Sequence, residues 1–321
     1  MRSWNRPLLA LAGAMILLTL VCAVGLLVDP RTLLGQPIWA KPLKFSVSFV
    51  LYAPTLAWMI SLVRGDRARR LASGAGTVVA VTSVIEMVAI VGQVVRGRAS
   101  HFDVATPFDT AVWAVMGTSI AVLWVANLVI AVVLLRERSL PVATAWAVRL
   151  GLLAALLGMA VAFLMTSPSG YQIAQAKSTG SMPAAGAHAV GVPDGGPGLP
   201  LVGWSTTGGD LRIGHFVGLH ALQAIPLLAL GLALLAGRVA VLRSERVRAQ
   251  LVGVGAGAWV GLTLLLTWQA LRAQPLLAPD ALTLAVAIGL VVVTAGAATA
   301  VIARGSRPST PTAVAPAPVT V

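Results

Sequence analysis

Residues 8–28 read LLALAGAMILLTLVCAVGLLV, an uninterrupted apolar run with no charged residue. A helix crosses the hydrocarbon core of a bilayer with about 20 such residues. Seven more runs of this kind follow, at about 43–63, 71–95, 109–135, 142–166, 211–236, 247–271 and 281–303. They predict an all-α fold, a polytopic transmembrane bundle of about eight helices forming one domain over residues 1–303. Composition agrees. The chain of 321 residues is 58% hydrophobic and 10% charged, whereas soluble domains carry about a quarter charged residues. Arg2 and Arg6 ahead of the first run could also open a secretory signal. No small-x-small site followed by a polar region appears, and Val21 before Cys22 is not the small residue of a lipoprotein signal, so an uncleaved first helix is expected. Cys22 is the single cysteine, which excludes an intrachain disulfide.

The net charge of +13 could suggest nucleic acid, but its distribution follows the bilayer instead. With the N-terminus inside, Arg2, Arg6, Arg64, Arg67, Arg69, Arg70, Arg136, Arg138, Arg149, Arg238, Arg243, Arg246, Arg248, Arg304 and Arg307 fall on the cytoplasmic side. Only Arg31, Lys41, Lys44, Arg96, Arg98, Lys177, Arg212 and Arg272 fall on the other. This is the positive-inside asymmetry. It predicts that both termini are cytoplasmic, in a bacterial inner membrane, with a lipid bilayer rather than a nucleic acid as partner.

The long connection, 167–210, then lies outside and is rich in Gly, Pro, Ser and Thr, with the breaker cluster Asp194-Gly195-Gly196-Pro197-Gly198. It is expected to be mobile in part or to fold over the outer face. Residues 304–321 read as a disordered cytoplasmic tail. Gly253, Gly257 and Gly261 recur every four residues and predict a close helix contact. Pro54 and Pro226 predict bends in the second and sixth spans.

A few polar residues stand out against this background. Glu86 is the one acid inside a predicted span. Its burial costs about 2.5–3.5 kcal/mol on insertion scales, so it should face the bundle interior, near a polar group on the fourth or sixth helix. Gln93, seven residues on, returns to the same helix face, and Arg96 and Arg98 follow at the boundary. Ser100-His101-Phe102-Asp103 leads to Thr106-Pro107-Phe108-Asp109, where Thr106 and Asp109 suit the capping of the next helix. Asp210 is likewise placed to cap the sixth span, which carries Arg212, His215, His220 and Gln223. His215 and His220 are five apart and would face different neighbours on a regular helix. Lys41 and Lys44 enter the second span from the same side. Three of the four histidines thus share one level, while His188 stands apart in the long connection.

The segments Lys41-Pro42-Leu43-Lys44-Phe45, Gln93-Val94-Val95-Arg96-Gly97 with Ser100-His101-Phe102, Thr106-Pro107-Phe108-Asp109 and Gly209-Asp210-Leu211-Arg212 with His215-Phe216-Val217-Gly218-Leu219-His220-Ala221-Leu222-Gln223 carry a resemblance. From about 39 to 226 the chain resembles a family of bacterial integral membrane proteins that has no assigned activity, which implies a location and no residue roles. It is similar in architecture to the haem A synthases, eight-helix proteins with histidines near the outer side. It departs from them where they carry a glutamate shortly before a helical histidine, since Glu86 is followed by Met87, Val88, Ala89 and Ile90.

Two function classes fit this set. One is a redox protein or enzyme holding haem or a transition metal on two of His101, His215 and His220, with Glu86 and Gln93 in proton-handling or supporting roles. The other is a transporter or sensor with Glu86 as a proton-coupled switch, in which Lys41, Lys44, Arg96, Arg212 and Gln223 receive a small hydrophobic or anionic ligand. A membrane assembly factor, whose polar residues only lock helices, is the third reading. The residues 1–321 contain no phosphate loop, zinc-protease motif or serine nucleophile elbow.

Overall fold

The computed structural model describes residues 4–306. Helix α1 spans Arg6–Val28, capped by Asn5, whose side chain accepts from Leu8 N and donates to Ser73 at 2.9 Å. A two-residue hairpin, β1 (Thr32–Leu33) with β2 (Gln36–Pro37), turns the chain into α2, Ala40–Ser61. Helix α3 covers Asp66–Arg96 and stops at Gly97, whose φ of 69° is the left-handed conformation glycine adopts without strain. Helix α4 covers Pro107–Arg136 with Thr106 as its cap, accepting from Asp109 N as the sequence pattern predicts. Helix α5 covers Val142–Val161 and tightens into a 3₁₀ turn, Ala162–Thr166.

The 167–210 segment is ordered. It holds the short helix α6, Gly170–Thr179, started by a reciprocal capping box between Ser169 and Gln172. It then forms β3 (Ala189–Val190), which pairs antiparallel with β4 (Gly209–Asp210). Helices α7 (Leu211–Leu219) and α8 (Ala221–Leu235) form a pair bent by 44°. Helices α9, Glu245–Leu271, and α10, Ala281–Gly305, complete the bundle.

Among the described residues seven helices are long and apolar enough to cross a bilayer, and the bent α7–α8 pair brings the number to eight if it is one span. The protein is an all-α polytopic bundle and a multi-pass membrane protein. Arg2 and Arg307, and the part of the expected tail from residue 307 onward, lie outside the described residues.

One core joins α1 to α5, through Leu8, Leu56, Met59, Ile90, Met116, Ile130, Leu134 and Leu152. A second joins α5, α8 and α9, through Ala147, Ala154, Ala221, Ile225, Val252 and Ala256. Helix α10 packs on α9 alone among the helices, and nothing in its most apolar window is buried, as befits a helix facing lipid.

Two expectations change in part. Close helix contact occurs at two of the three spaced glycines and is made by side chains: Gly253 seats the Trp146 ring of α5 and Gly261 the Leu290 side chain of α10, while Gly257 has open space beside it. Backbones touch elsewhere, where Gly158 of α5 meets Gly218 of α7. The bend in the sixth span is not centred on Pro226 but lies at His220. Pro226 cannot donate to the Leu222 carbonyl one turn back, while the glycine contacts hold α7 flush against α5 and α9. The chain changes direction between these two constraints.

Candidate functional site

A chamber of about 2030 Å³ opens between α2, α4, the 3₁₀ turn, α7 and the 167–210 segment. Its walls are mostly apolar, and its polar groups gather at one end. Lys41 and Lys44 reach it from the first turn of α2, Glu86 from α3, and His101 from the α3–α4 connection. His188 and Asp194 come from the 167–210 segment, and Arg212, His215 and His220 from the α7–α8 pair. From there the chamber continues along α2 past Phe45 and Phe49 to Tyr52, and meets Leu123 and Trp124 of α4. Eleven residues of α2 separate Lys41 from Tyr52, a drop of about 16 Å at helical rise. At the floor Tyr52 donates to Asn127 Oδ1 at 2.6 Å, so its hydroxyl is already engaged. Val47 and Leu51 of α2 also line the chamber, and both belong to its exposed flank.

Glu86 faces the interior as expected, fully buried. Its neighbour is not on the fourth or sixth span but in the connection: His101 Nε2 lies 3.5 Å from Glu86 Oε1. Neither carboxyl oxygen makes a hydrogen bond. His101 is fixed by Ser100 Oγ, 3.1 Å from its Nδ1, and by the Phe45, Phe102 and Trp113 rings around it. The connection achieves this with Phe102 at a φ of 65°, a conformation non-glycine residues rarely take, held by its burial beneath His188. Burial above all, and then the charges of Lys41, His188 and His215, hold His101 well below its usual 6.5.

His188, set apart in the sequence, belongs to this cluster. Its ring lies 6.4 Å from that of His101. Asp194 accepts from His188 Nδ1 at 2.7 Å and from the backbone N–H of His188 and of Ala189. Burial raises the Asp194 carboxyl, but these bonds outweigh it and hold the group at about 2. His188 itself is lowered by burial, with the Asp194 carboxylate opposing. The pair is therefore a neutral imidazole oriented by a carboxylate, with Nε2 left over.

The remaining candidates divide. His215 Nδ1–H donates to the Gly158 carbonyl at 2.8 Å, which leaves Nε2 without that duty. His220 Nδ1 lies 3.2 Å from Gln223 Oε1, and its buried Nε2 has no partner. Lys44 donates to the Val202 carbonyl at 2.8 Å, and Arg212 is taken by Asp210 and the Gly203 carbonyl. Lys41 lines the chamber with no hydrogen bond or ion pair among the described residues.

Gln93, Arg96 and Gln223 are not chamber-lining. Gln93 and Arg96 both bind the buried Asp109, which Arg98 reaches at 3.1 Å. The expected capping-box role of Asp109 is not what its carboxylate performs: it accepts from the Thr106 hydroxyl and clamps the end of α3 to the start of α4. No group of three or more His, Cys, Asp or Glu side chains among the described residues stands close enough to hold a metal ion.

Sequence reasoning missed His188 and Asp194. A His six residues before a carboxylate in a glycine-rich stretch carries no periodicity, so only the breaker cluster at Asp194 hinted at a tight turn there. No family model, curated protein or solved structure matches the chain.

Proposed function

We propose that this membrane protein binds an amphipathic molecule drawn from the bilayer, with its chain in the shaft and its polar head among Lys41, Glu86, His101 and His188. The observation that carries this reading is the shape and chemistry of the chamber. An apolar shaft about 16 Å deep hangs below a cluster of buried ionisable groups, with the Tyr52 hydroxyl at its floor engaged. Ligand sites are usually apolar concavities with a few convergent polar groups. The exposed flank of Val47 and Leu51 gives a chain a lateral way in from lipid. The positive-inside asymmetry supports a site facing the outer leaflet.

Brominated long-chain alcohol quenches nearby indole fluorescence, and Trp113 and Trp124 line the chamber. Saturable quenching is the expected outcome. Gly117 lines the shaft with open space beside it, so Gly117→Phe should fill it and abolish the quenching without disturbing the fold. Quenching that is unsaturable, or indifferent to Gly117→Phe, would count against the reading.

A haem-binding redox protein is the second reading, and the unpartnered Nε2 of His220 favours it. One or two axial histidines suffice for haem, so a three-residue metal cluster is not needed. A Soret band in protein purified from haem-replete cells, lost in His220→Ala, tests it.

A further inference from the structure

The polar end of the chamber leaves two charged side chains unspent. Lys41 has no hydrogen bond or ion pair, while Lys44 and Arg212 are engaged by the 167–210 segment and Asp210. Both oxygens of Glu86 lack a hydrogen bond, although the side chain is only 1% exposed. Lys41 and Glu86 line the same chamber. Buried polar groups are normally satisfied, so the unsatisfied Glu86 carboxyl, with the unengaged Lys41 ammonium lining the same cavity, points to an occupant.

We propose that this end of the chamber is a proton-linked site for an anionic amphiphile, whose acidic oxygen head docks on Lys41 while Glu86 takes up one proton. The proposal rests on the amphiphile reading above and adds the head-group chemistry to it.

The argument is one of charge balance. The starting state of this proposal is an empty chamber in which the ammonium of Lys41 and the carboxylate of Glu86 offset each other in surroundings of low dielectric. An acidic head adds a second negative charge against a single cation. A buried charge left uncompensated is expensive, and ionisable groups so placed neutralise by exchanging a proton. Glu86 is the acid free to do so. Asp194 is held ionised by His188, and Asp210 is paired with Arg212. The balance is simple: the anion and one proton enter together, Glu86 becomes the neutral acid, and no other bond forms or breaks. When the anion leaves, the proton leaves with it.

A path for that proton is present. His101 Nε2 is 3.5 Å from Glu86, and its ring is 6.4 Å from that of His188. His188 is bonded in turn to Asp194. Side-chain exposure is 1% at Glu86, 18% at His101, 15% at His188 and 20% at Asp194. The other charged and titratable groups lining this end among the described residues are Lys41 and Lys44 of α2, Arg98 and Asp103 of the α3–α4 connection, which pair with each other, and Arg212, His215 and His220 of the α7–α8 pair.

The test uses the full chain in weakly buffered detergent with two brominated probes of equal length. One is an alkyl sulfonate, which stays anionic and cannot take the proton itself. The other is the alcohol. Tryptophan quenching reads binding, and a pH-sensitive dye reads protons. The sulfonate should bind with uptake of about one proton per molecule, the alcohol with none. Glu86→Gln should bind the sulfonate without uptake. Lys41→Gln should weaken the sulfonate about tenfold more than it weakens the alcohol, as loss of a charge-assisted bond does, and a helical circular-dichroism spectrum and melting curve like those of the wild type show that the variant is folded. Sulfonate binding without proton uptake, or equal uptake by Glu86→Gln, overturns the linkage and leaves the amphiphile reading standing. If neither probe binds, both fail.

Discussion

Asp194 accepts from the His188 ring and from two backbone N–H groups, so one side chain folds the 186–196 turn and sets the imidazole. Both members of the pair have folded values below their usual ones, Asp194 at about 2 and His188 below 6.5. Groups of this kind bind more protons unfolded than folded, so stability rises with pH. The pair's contribution is complete above about 6.5 for His188. It is lost as pH falls, first through the lowered value of His188 and then toward about 2 as Asp194 protonates. Amide exchange at residues 186–196 should therefore open with acid before the helices do. In Asp194→Ala the segment should be open already at neutral pH. Protection unchanged by that substitution would show that the pair does not hold the turn. At this scale the sequence was legible in part. Thr106 and Asp210 could be read as caps because capping is local, and both cap, whereas the Asp109 carboxylate goes to the Thr106 hydroxyl, Gln93, Arg96 and Arg98 and closes no capping box. Glu86 was conspicuous because an acid in an apolar run is rare. Its contact with His101, and the place of His188, depend on how the connections fold back.

Helix α7 owes its position to absent side chains. A Cβ on Gly158 would collide with the Gly218 backbone, and one on Gly218 would collide with Gly158. This close seat lets His215 reach the Gly158 carbonyl at 2.8 Å. Gly218→Ala should push α5 and α7 apart and destabilise the fold by about 1–3 kcal/mol, the usual cost of an overpacked contact. It should also weaken amphiphile binding, since α7 forms a wall of the chamber. Gly257→Ala is the control: with open space beside it, the added methyl should cost nothing measurable. Equal losses in the two variants would refute the assignment of the close contact. The spacing of Gly253, Gly257 and Gly261 signals closeness along one helix, but partner choice depends on the other helix, which a single run of sequence does not contain.

The whole molecule is a bundle whose loop-bearing end closes over the chamber and whose arginines crowd the opposite end. Enzyme-reporter fusions after Arg70, Arg138 and Arg248 should report the cytoplasm, and a fusion within 167–210 should report the outside, as the arginine distribution demands. A fusion after Arg248 reporting the outside would reverse the second half of this topology, and with it the access of the site to the outer leaflet.

The bilayer explains why so much of this architecture can be read from the chain alone. A helix in lipid must satisfy its own backbone, so length and apolarity are enough to define each span. The helical bundle and the caps follow from residues close in sequence. The chamber does not. It exists because α2 and α4 stand apart near Phe49 and Gly117, and because the 167–210 segment folds back over their ends. Lys41, Glu86, His101 and His188 come from four separate stretches of chain, and only tertiary structure brings their charges into one low-dielectric space where each decides the state of the others.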